Sequence, residues 1–273
     1  MSMNNTLRYA AFAALVLSSQ ALASPDEEPA QAKEATEQGP STEAAATAEE
    51  IAELMASDVA TALTPPTTLA FEPAELEFWA GKAKVAHETL KAQQGDTGTE
   101  YDVIIQAGHY NRKTGKTGGT GKYVTEQQVA AFVAQSVRQQ LSNTDIRLLI
   151  IDADNFSKPL KTKIFLSLHT DSSANPCSVG PSVGIAGGSD RKGMHSIALA
   201  LAITLGIDPE EFMKDNYTTN LSGYYAYKRV SSSYIEGVLE MSELSCPLQE
   251  DNLLGNAAQL SRNLSTAIKF SLR

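Results

Sequence analysis

The chain has 273 residues and a formal net charge of −10 at pH 7, a length that fits one large domain or two small ones. The charge is unevenly distributed: residues 24–64 carry ten acidic side chains and one lysine, whereas residues 65–273 are nearly neutral. The longer part therefore lacks the basic surface that is typical of a nucleic-acid-binding protein. We expect no nucleic-acid partner.

The first 23 residues have the order of features that is typical of a secretory signal peptide. Arg8 precedes an apolar run over residues 9–17, and Ala21-Leu22-Ala23 forms a small-x-small cleavage site. That run is too short to span a bilayer, and no other run approaches the ~20 apolar residues that a membrane helix needs. We therefore expect export to the periplasm or the extracellular space, and a mature protein without a transmembrane segment.

Residues 24–70 are rich in Ala, Glu, Thr and Pro and predict a disordered acidic linker. Their few large apolar side chains cannot bury enough surface to offset the entropy lost on ordering. Within this linker, residues 48–62 place Ile51 and Val59 on one helical stripe. We interpret that stripe as a transient helix in a tether.

Residues 71–95 predict an amphipathic helix. Pro73 suits a first-turn position, and Leu76, Trp79 and Ala83 fall at spacings of three or four on one face. Two interpretations remain open for this helix. Either it packs on the domain that follows, or it binds a regulatory protein partner.

From residue 100 to residue 273, strand patterns and helix patterns alternate. Nearly continuous apolar strands that alternate with helices favour an α/β domain with a mostly parallel sheet, covered by helices on both faces. The predicted strands are residues 102–107, 146–151, 163–168 and 235–241, and the predicted helices are residues 124–141, 193–205 and 251–270, with a short helix after Asp208.

His109, His169 and Glu240 lie at or near the carboxyl ends of predicted strands, and Glu126 lies near the amino end of the helix after the first strand. In open α/β sheets this edge binds ligands. Two histidines and a glutamate form a common catalytic zinc set that leaves one position open for water. Glu240 is a second carboxylate, suited to accept the proton of that water. A histidine taken singly is more often a structural residue than a metal ligand, and the spacing here is not a compact motif, so the fold must bring the ligands together.

Four short stretches together resemble the zinc-dependent N-acetylmuramoyl-L-alanine amidases of the amidase_3 type. The resemblance covers about residues 100–270 and implies a six-stranded, mostly parallel sheet. It implies one zinc ion bound by His109, Glu126 and His169, with Glu240 as the catalytic carboxylate. It also implies that the substrate is peptidoglycan, cut at the amide between the lactyl group of N-acetylmuramic acid and L-Ala of the stem peptide. The stretches are Gly108-His109, then Glu126, then Ser167-Leu168-His169-Thr170-Asp171, then Val238-Leu239-Glu240.

The chain departs from the family pattern around these residues, which indicates a divergent member. Gln106-Ala107-Gly108-His109-Tyr110 stands where the family usually has Asp-Pro-Gly-His-Gly, and Ser242-Glu243 stands where it favours Gly-Phe. In the family, a helix that forms part of the substrate groove lies between the second and third of these strands. This chain has only the short run of residues 152–163 at that place. Two alternatives therefore remain: a zinc peptidase that acts on stem peptides, and a catalytically weak peptidoglycan-binding module.

Five tyrosines crowd one segment that also carries Lys228 and Arg229. This segment is either a groove that stacks on sugars and pairs with stem-peptide carboxylates, or an irregular hairpin with surface tyrosines. We interpret His87, which lacks partner residues in sequence, as structural or solvated. We interpret His195, which opens a predicted helix, as structural rather than as a third histidine ligand. The tyrosines are Tyr217, Tyr224, Tyr225, Tyr227 and Tyr234.

Cys177 and Cys246 are the only cysteines, and each follows a motif strand by a few residues. Both are expected at the same edge of the sheet. In an exported protein they can form a disulfide. Two unpaired thiols near the zinc site are the alternative.

Overall fold

The computed structural model describes residues 46–66, 68, 70–154, 159–186, 189–215, 217–218 and 223–273. The predicted signal peptide and the first part of the predicted linker lie outside these residues. Within the described ranges, no helix is both long enough and apolar enough to cross a membrane.

Among the described residues, six strands form one sheet, and the sequence pattern predicts four of them. The spatial order is β2-β1-β3-β6-β4-β5. β1 pairs in parallel with β2 and β3, and β3 pairs in parallel with β6, whereas β4 runs antiparallel to β6. The predicted mostly parallel sheet is therefore confirmed. The strands are Glu100–Ala107 (β1), Leu148–Ile151 (β2), Leu160–Asp171 (β3), Ser182–Ile185 (β4), Tyr217–Thr218 (β5) and Val230–Glu243 (β6).

Within the described residues, the α-helices pack on one face of this sheet. Their buried side chains form a single core with alternate strand residues such as Val103, Ile164 and Leu239. Because successive strand side chains point to opposite faces, these three residues mark the helix-covered face. The helices are Ala48–Met55 (α1), Asp58–Ala62 (α2), Pro73–Thr89 (α3), Glu126–Leu141 (α4), Arg191–Leu205 (α5), Pro209–Asp215 (α6) and Pro247–Ser271 (α7).

The opposite face of the sheet carries Ile104 and Phe165 and has a different cover. A short 3-10 helix, Tyr225–Lys228, lies over it together with Tyr224 and Tyr227. The ring centroids of Tyr227 and Phe165 are 6.2 Å apart. Both faces are therefore covered, as predicted. On the second face, however, the described residues supply a 3-10 helix and tyrosine rings in place of α-helices.

Residues 46–66 differ from the predicted disordered linker. Ile51 and Val59 are 1% and 4% exposed and belong to the same core as the sheet and its helices. The Thr47 hydroxyl accepts a hydrogen bond from the backbone N–H of Glu50, and the Glu50 carboxylate accepts one from the N–H of Thr47. This reciprocal cap stabilises the start of α1. A short apolar stripe orders here because it packs on an existing core, which the composition of the segment does not reveal.

Helix α3 is the predicted N-terminal amphipathic helix. Leu76 is buried, and the rings of Trp79 and Phe132 meet edge to face with centroids 6.1 Å apart. Its inward side packs on α4 and α7. Its outer side leaves Phe78 and Val85 each 55% exposed. The helix is thus part of the folded domain, and a protein partner on its outer side stays a prediction.

Candidate metal centre

Three predicted site residues converge at the carboxyl edge of the sheet. His109 lies two residues beyond β1, Glu126 is the first residue of α4, and His169 lies near the end of β3. A ligand atom from each lies within 4.8 Å of those of the other two. The Glu126 carboxylate contacts both histidines, with Oε1 2.7 Å from Nδ1 of His169 and Oε2 3.6 Å from Nε2 of His109. The structure therefore places the three predicted ligands in one cluster.

A tight turn after β1 directs His109 into the cluster. The φ angle of His109 is 53°, in the left-handed region that side chains seldom adopt. The preceding residue, Gly108, donates its N–H to the Leu168 carbonyl at 2.9 Å, and a Cβ at this glycine would overlap that oxygen. The carbonyl oxygen of Lys116 accepts from Nδ1 of His109 at 3.3 Å. Nε2 is left facing Glu126.

The loop before α4 holds the Glu126 carboxylate in place. The N–H of Gly119 donates to Oε2 at 2.9 Å, and the N–H of Thr170 donates to Oε1 at 3.2 Å. Gly118 has a φ angle of 78°, and a Cβ there would overlap the carboxylate. Because Glu126 is only 2% exposed, these contacts leave its side chain little freedom.

The electrostatics favour a carboxylate at Glu126 and a neutral imidazole at His109, the protonation states that metal ligands need. Burial alone would raise the pKa of Glu126, but the hydrogen bond and charge of His169 outweigh it, so this pKa is lowered. Burial lowers the pKa of His109, against the opposing charge of Glu126.

Glu240 lies beside His169 in the sheet. The two residues are register partners on β6 and β3, so their side chains point to the same face. Oε2 of Glu240 is buried and has no hydrogen-bond partner among the described residues. Burial raises the pKa of Glu240 well above its ordinary value, and the charges of Asp171 and Glu126 raise it further. An unpartnered carboxyl group in this position is suited to hold and release a proton.

The donor set fits a zinc ion. Zinc–ligand bonds of 2.0–2.2 Å place the ligand atoms of a tetrahedral site about 3.4 Å apart, and one ligand atom from each of the three residues lies within 4.8 Å of those of the other two. Burial and the charges of Glu126 and Glu243 raise the pKa of the nearby Asp171 to about 6. Glu126, Asp171 and Glu240 thus place three carboxyl groups around the two histidines, and a bound divalent cation would favour their ionised forms.

Tyr224 contacts the outer nitrogen of His169, a role that the sequence does not predict. Its hydroxyl oxygen lies 2.8 Å from Nε2 of His169 and 2.7 Å from Oε1 of Gln106. Tyr225 and Tyr234 are 39% and 37% exposed. Tyr224 therefore lies against the site, whereas Tyr225 and Tyr234 are partly exposed at the surface. The side chain of Tyr217 lies outside the described residues.

Glu250 is a buried support that sequence analysis missed. Its carboxylate accepts the N–H groups of Lys122 and Tyr123 at 2.7 Å each and that of Val124 at 3.1 Å. This loop leads directly into α4 and so sets the position of Glu126. The available signal was an acidic residue in the first turn of the last helix.

Cys177 and Cys246 form a disulfide, with Cα atoms 4.6 Å apart. Of the two alternatives, the structure therefore shows the pair bonded, and neither sulfur is a free thiolate. Glu243 supports the same loop, because its carboxylate accepts the N–H groups of Cys177 and Val179 at 2.9 Å each. The bond ties the loop after β3 to the start of α7.

The remaining histidines lie apart from the cluster. His195 is 2% exposed within α5, and burial lowers its pKa. His87 on α3 packs against Tyr110, with ring centroids 5.2 Å apart. The Tyr110 hydroxyl also donates to the Leu90 carbonyl at 2.6 Å. Tyr110, which follows His109 and departs from the family pattern, therefore connects α3 to the turn that carries His109.

No family model and no curated protein matches the chain. Several solved structures are similar to it. An N-acetylmuramoyl-L-alanine amidase from Clostridium difficile 630 has a TM-score of 0.46 at 9% identity, over 63% of this chain and 96% of its own. The apo form of the N-acetylmuramyl-L-alanine amidase Ami1 from Mycobacterium abscessus has a TM-score of 0.46 at 12% identity, over 65% and 100%.

A third similar structure is the catalytic domain of CwlV, an N-acetylmuramoyl-L-alanine amidase from Bacillus (Paenibacillus) polymyxa var. colistinus. It has a TM-score of 0.43 at 15% identity, over 62% of this chain and 97% of its own. With TM-scores below 0.5 and identities below 25%, these likenesses do not determine the function of this chain.

Proposed function

We propose that the chain is an exported, zinc-dependent N-acetylmuramoyl-L-alanine amidase that hydrolyses peptidoglycan. The observation that carries the proposal is the cluster of His109, Glu126 and His169 with Glu240 beside it, whose buried Oε2 has no hydrogen-bond partner among the described residues. These residues stand in the order and strand contexts of the amidase_3 motifs. The signal peptide expected at residues 1–23 agrees with the substrate, because peptidoglycan lies outside the cytoplasmic membrane.

His109, Glu126 and His169 would hold one zinc ion. Zinc bound by three protein ligands polarises a carbonyl group and lowers the pKa of a bound water to about 7. The protein contributes the arrangement of these ligands. The Glu126 carboxylate is oriented by two backbone N–H groups, and His109 is oriented by the Lys116 carbonyl.

Glu240 performs the proton transfers. Its carboxylate takes a proton from the water that attacks the lactyl carbonyl carbon, as the new C–O bond forms. The protonated Glu240 then gives this proton to the amide nitrogen of L-Ala as the C–N bond breaks. The products are a free lactyl carboxylic acid and a stem peptide with a free amine. The raised pKa of Glu240 favours the second of these transfers, because the protonated group is more stable here than in an exposed glutamate.

Mass spectrometry of digested muropeptides tests the proposal. The purified protein with zinc is expected to release stem peptides that begin with L-Ala, and Glu240→Gln is expected to bind zinc but release them far more slowly. Peptides cut internally would identify a zinc peptidase instead. Co-sedimentation with sacculi without any zinc-dependent release would identify a binding module. Either result would overturn the amidase proposal.

A further inference from the structure

A hydrogen-bonded network lies beneath His169 on the sheet face that the 3-10 helix covers. The Tyr224 hydroxyl oxygen lies 2.8 Å from Nε2 of His169, 2.7 Å from Oε1 of Gln106 and 3.1 Å from Oγ of Ser167. Oγ of Ser167 also donates to Oε1 of Gln106 at 2.6 Å. Gln106 and Ser167 are fully buried. The network is therefore part of the folded interior rather than a surface contact.

The orientation of the Gln106 amide follows from its neighbours. Its Nε2 donates to the carbonyl oxygen of Ala153 at 3.0 Å and to the hydroxyl of Tyr225 at 3.1 Å. Because a backbone carbonyl can only accept, the NH2 group must face Ala153. Oε1 then faces Tyr224 and Ser167. With two lone pairs it can accept from both hydroxyls at once.

The two ring nitrogens of His169 face different partners. Nδ1 faces Glu126 Oε1 at 2.7 Å, within the cluster that also contains His109, and Nε2 faces Tyr224. A carboxylate can only accept, so a neutral His169 without metal carries its proton on Nδ1, and Nε2 accepts from the Tyr224 hydroxyl. A metal ion bound to Nδ1 takes the lone pair of that atom. The proton of the neutral ring then lies on Nε2.

We infer that Tyr224 is a positioning residue that holds the His169 ring in both of these tautomers, with Nδ1 as the metal-binding atom. When the proton is on Nδ1, the Tyr224 hydroxyl donates to Nε2. When the proton is on Nε2, the hydroxyl accepts it and donates its own hydrogen to Oε1 of Gln106. Every polar atom of the network keeps a partner in both states. The inference rests on the proposed zinc site and specifies how the protein supports it.

A hydroxyl group is suited to this position because it both donates and accepts. A carboxylate at the same place would accept only and would favour one tautomer of His169. Partners behind a metal-binding histidine orient its ring, and their loss commonly weakens metal binding by about 10–100-fold. Gln106, which replaces the aspartate usual in the family pattern, supplies the acceptor that completes the Tyr224 hydrogen bond.

Zinc affinity, measured on the full chain by competition with a chromogenic chelator, tests the inference without any substrate. Tyr224→Phe keeps the ring and removes the hydroxyl, and we expect it to weaken zinc binding by about 10–100-fold. Tyr227→Phe is the matched control. It lies three residues later and packs on Phe165, and its buried hydroxyl has no hydrogen-bond partner among the described residues. We expect this variant to bind zinc within about twofold of the wild type, since it removes no hydrogen bond.

Nitrogen-15 NMR of the His169 ring supplies a second readout on the wild type, independent of any variant. We expect the proton on Nδ1 without zinc and on Nε2 with zinc. Zinc bound to Nε2, or a Tyr224→Phe variant with equal or tighter zinc affinity, overturns the inference. If the wild type binds no zinc, the proposed function fails together with it. If the wild type binds zinc and Tyr224→Phe binds equally well, only this inference fails.

Discussion

Oε1 of Glu126 lies 2.7 Å from Nδ1 of His169, although 43 residues separate the two in sequence. Glu126 begins α4 and His169 lies near the end of β3, and both are buried. Two such groups meet only because β1 and β3 are adjacent and parallel, which brings their carboxyl ends to one edge. The two residues are therefore adjacent members of the proposed metal site, and a change to either one tests that site.

Replacement of His169 by alanine removes one of three proposed protein ligands. We expect the variant to lose zinc affinity by more than the roughly 10–100-fold typical of changes behind a ligand. Metal content after dialysis against a weak chelator measures this loss. His87→Ala is the control, since His87 lies on α3 away from the cluster and should leave zinc content unchanged. Wild-type zinc content in His169→Ala would contradict the assigned site.

Glu240→Gln keeps the size of the side chain but cannot accept a proton. We expect kcat for peptide release to fall by about 100–10,000-fold while zinc content stays at the wild-type level. Glu236→Gln is the matched control, because Glu236 lies on the same strand and face, four residues earlier. If both variants release peptides at the wild-type rate, Glu240 is not the catalytic base.

Glu250→Ala removes the acceptor for three backbone N–H groups in the loop that precedes α4. Each unsatisfied buried donor costs about 1–3 kcal/mol, so we expect the free energy of unfolding to fall by at least about 2 kcal/mol. Urea denaturation measures the change. The exposed Glu88→Ala should shift stability by less than about 0.5 kcal/mol. Equal stabilities for the two variants would show that Glu250 does not support the loop.

Ile51→Ala tests whether residues 46–66 belong to the folded domain. Ile51 is 1% exposed in the core, so its truncation should cost about 2–4 kcal/mol of unfolding free energy. Met55, on the same helix, is 40% exposed, and Met55→Ala should cost less than about 1 kcal/mol. If both variants unfold at the wild-type denaturant concentration, this stretch behaves as the linker that its composition predicts.

Loss of the Cys177–Cys246 disulfide should lower stability in a reducing buffer. The bond joins residues 69 positions apart, and closing a loop of this size typically stabilises a fold by about 2–4 kcal/mol through the unfolded chain. Denaturation of oxidised and reduced protein, with the double variant Cys177→Ser/Cys246→Ser in parallel, measures the difference. Identical curves for all three samples would count against a stabilising role.

The strands with continuous apolar runs were predictable, because burial on both faces leaves a direct mark in sequence. β4 and β5 were not, since Ser182–Ile185 and Tyr217–Thr218 are too short to show a period. The ordering of Ile51 was also missed. Ile51 is buried against core residues that lie far along the chain. The composition of its own acidic, alanine-rich segment does not indicate that this core exists.

The sequence by itself predicted the candidate side chains for metal binding and proton transfer, which are His109, Glu126, His169 and Glu240. It also determined that strands would present them near one edge. Only the tertiary structure decided that Nδ1 of His169 faces the cluster, that Tyr224 stands behind the ring, and that Glu250 carries the loop before α4. The physical reason is the distance along the chain between the groups that interact. Burial patterns act over a few neighbouring residues, whereas these hydrogen bonds join groups 43, 55 and 127 residues apart, which only the packed strands and helices bring within reach.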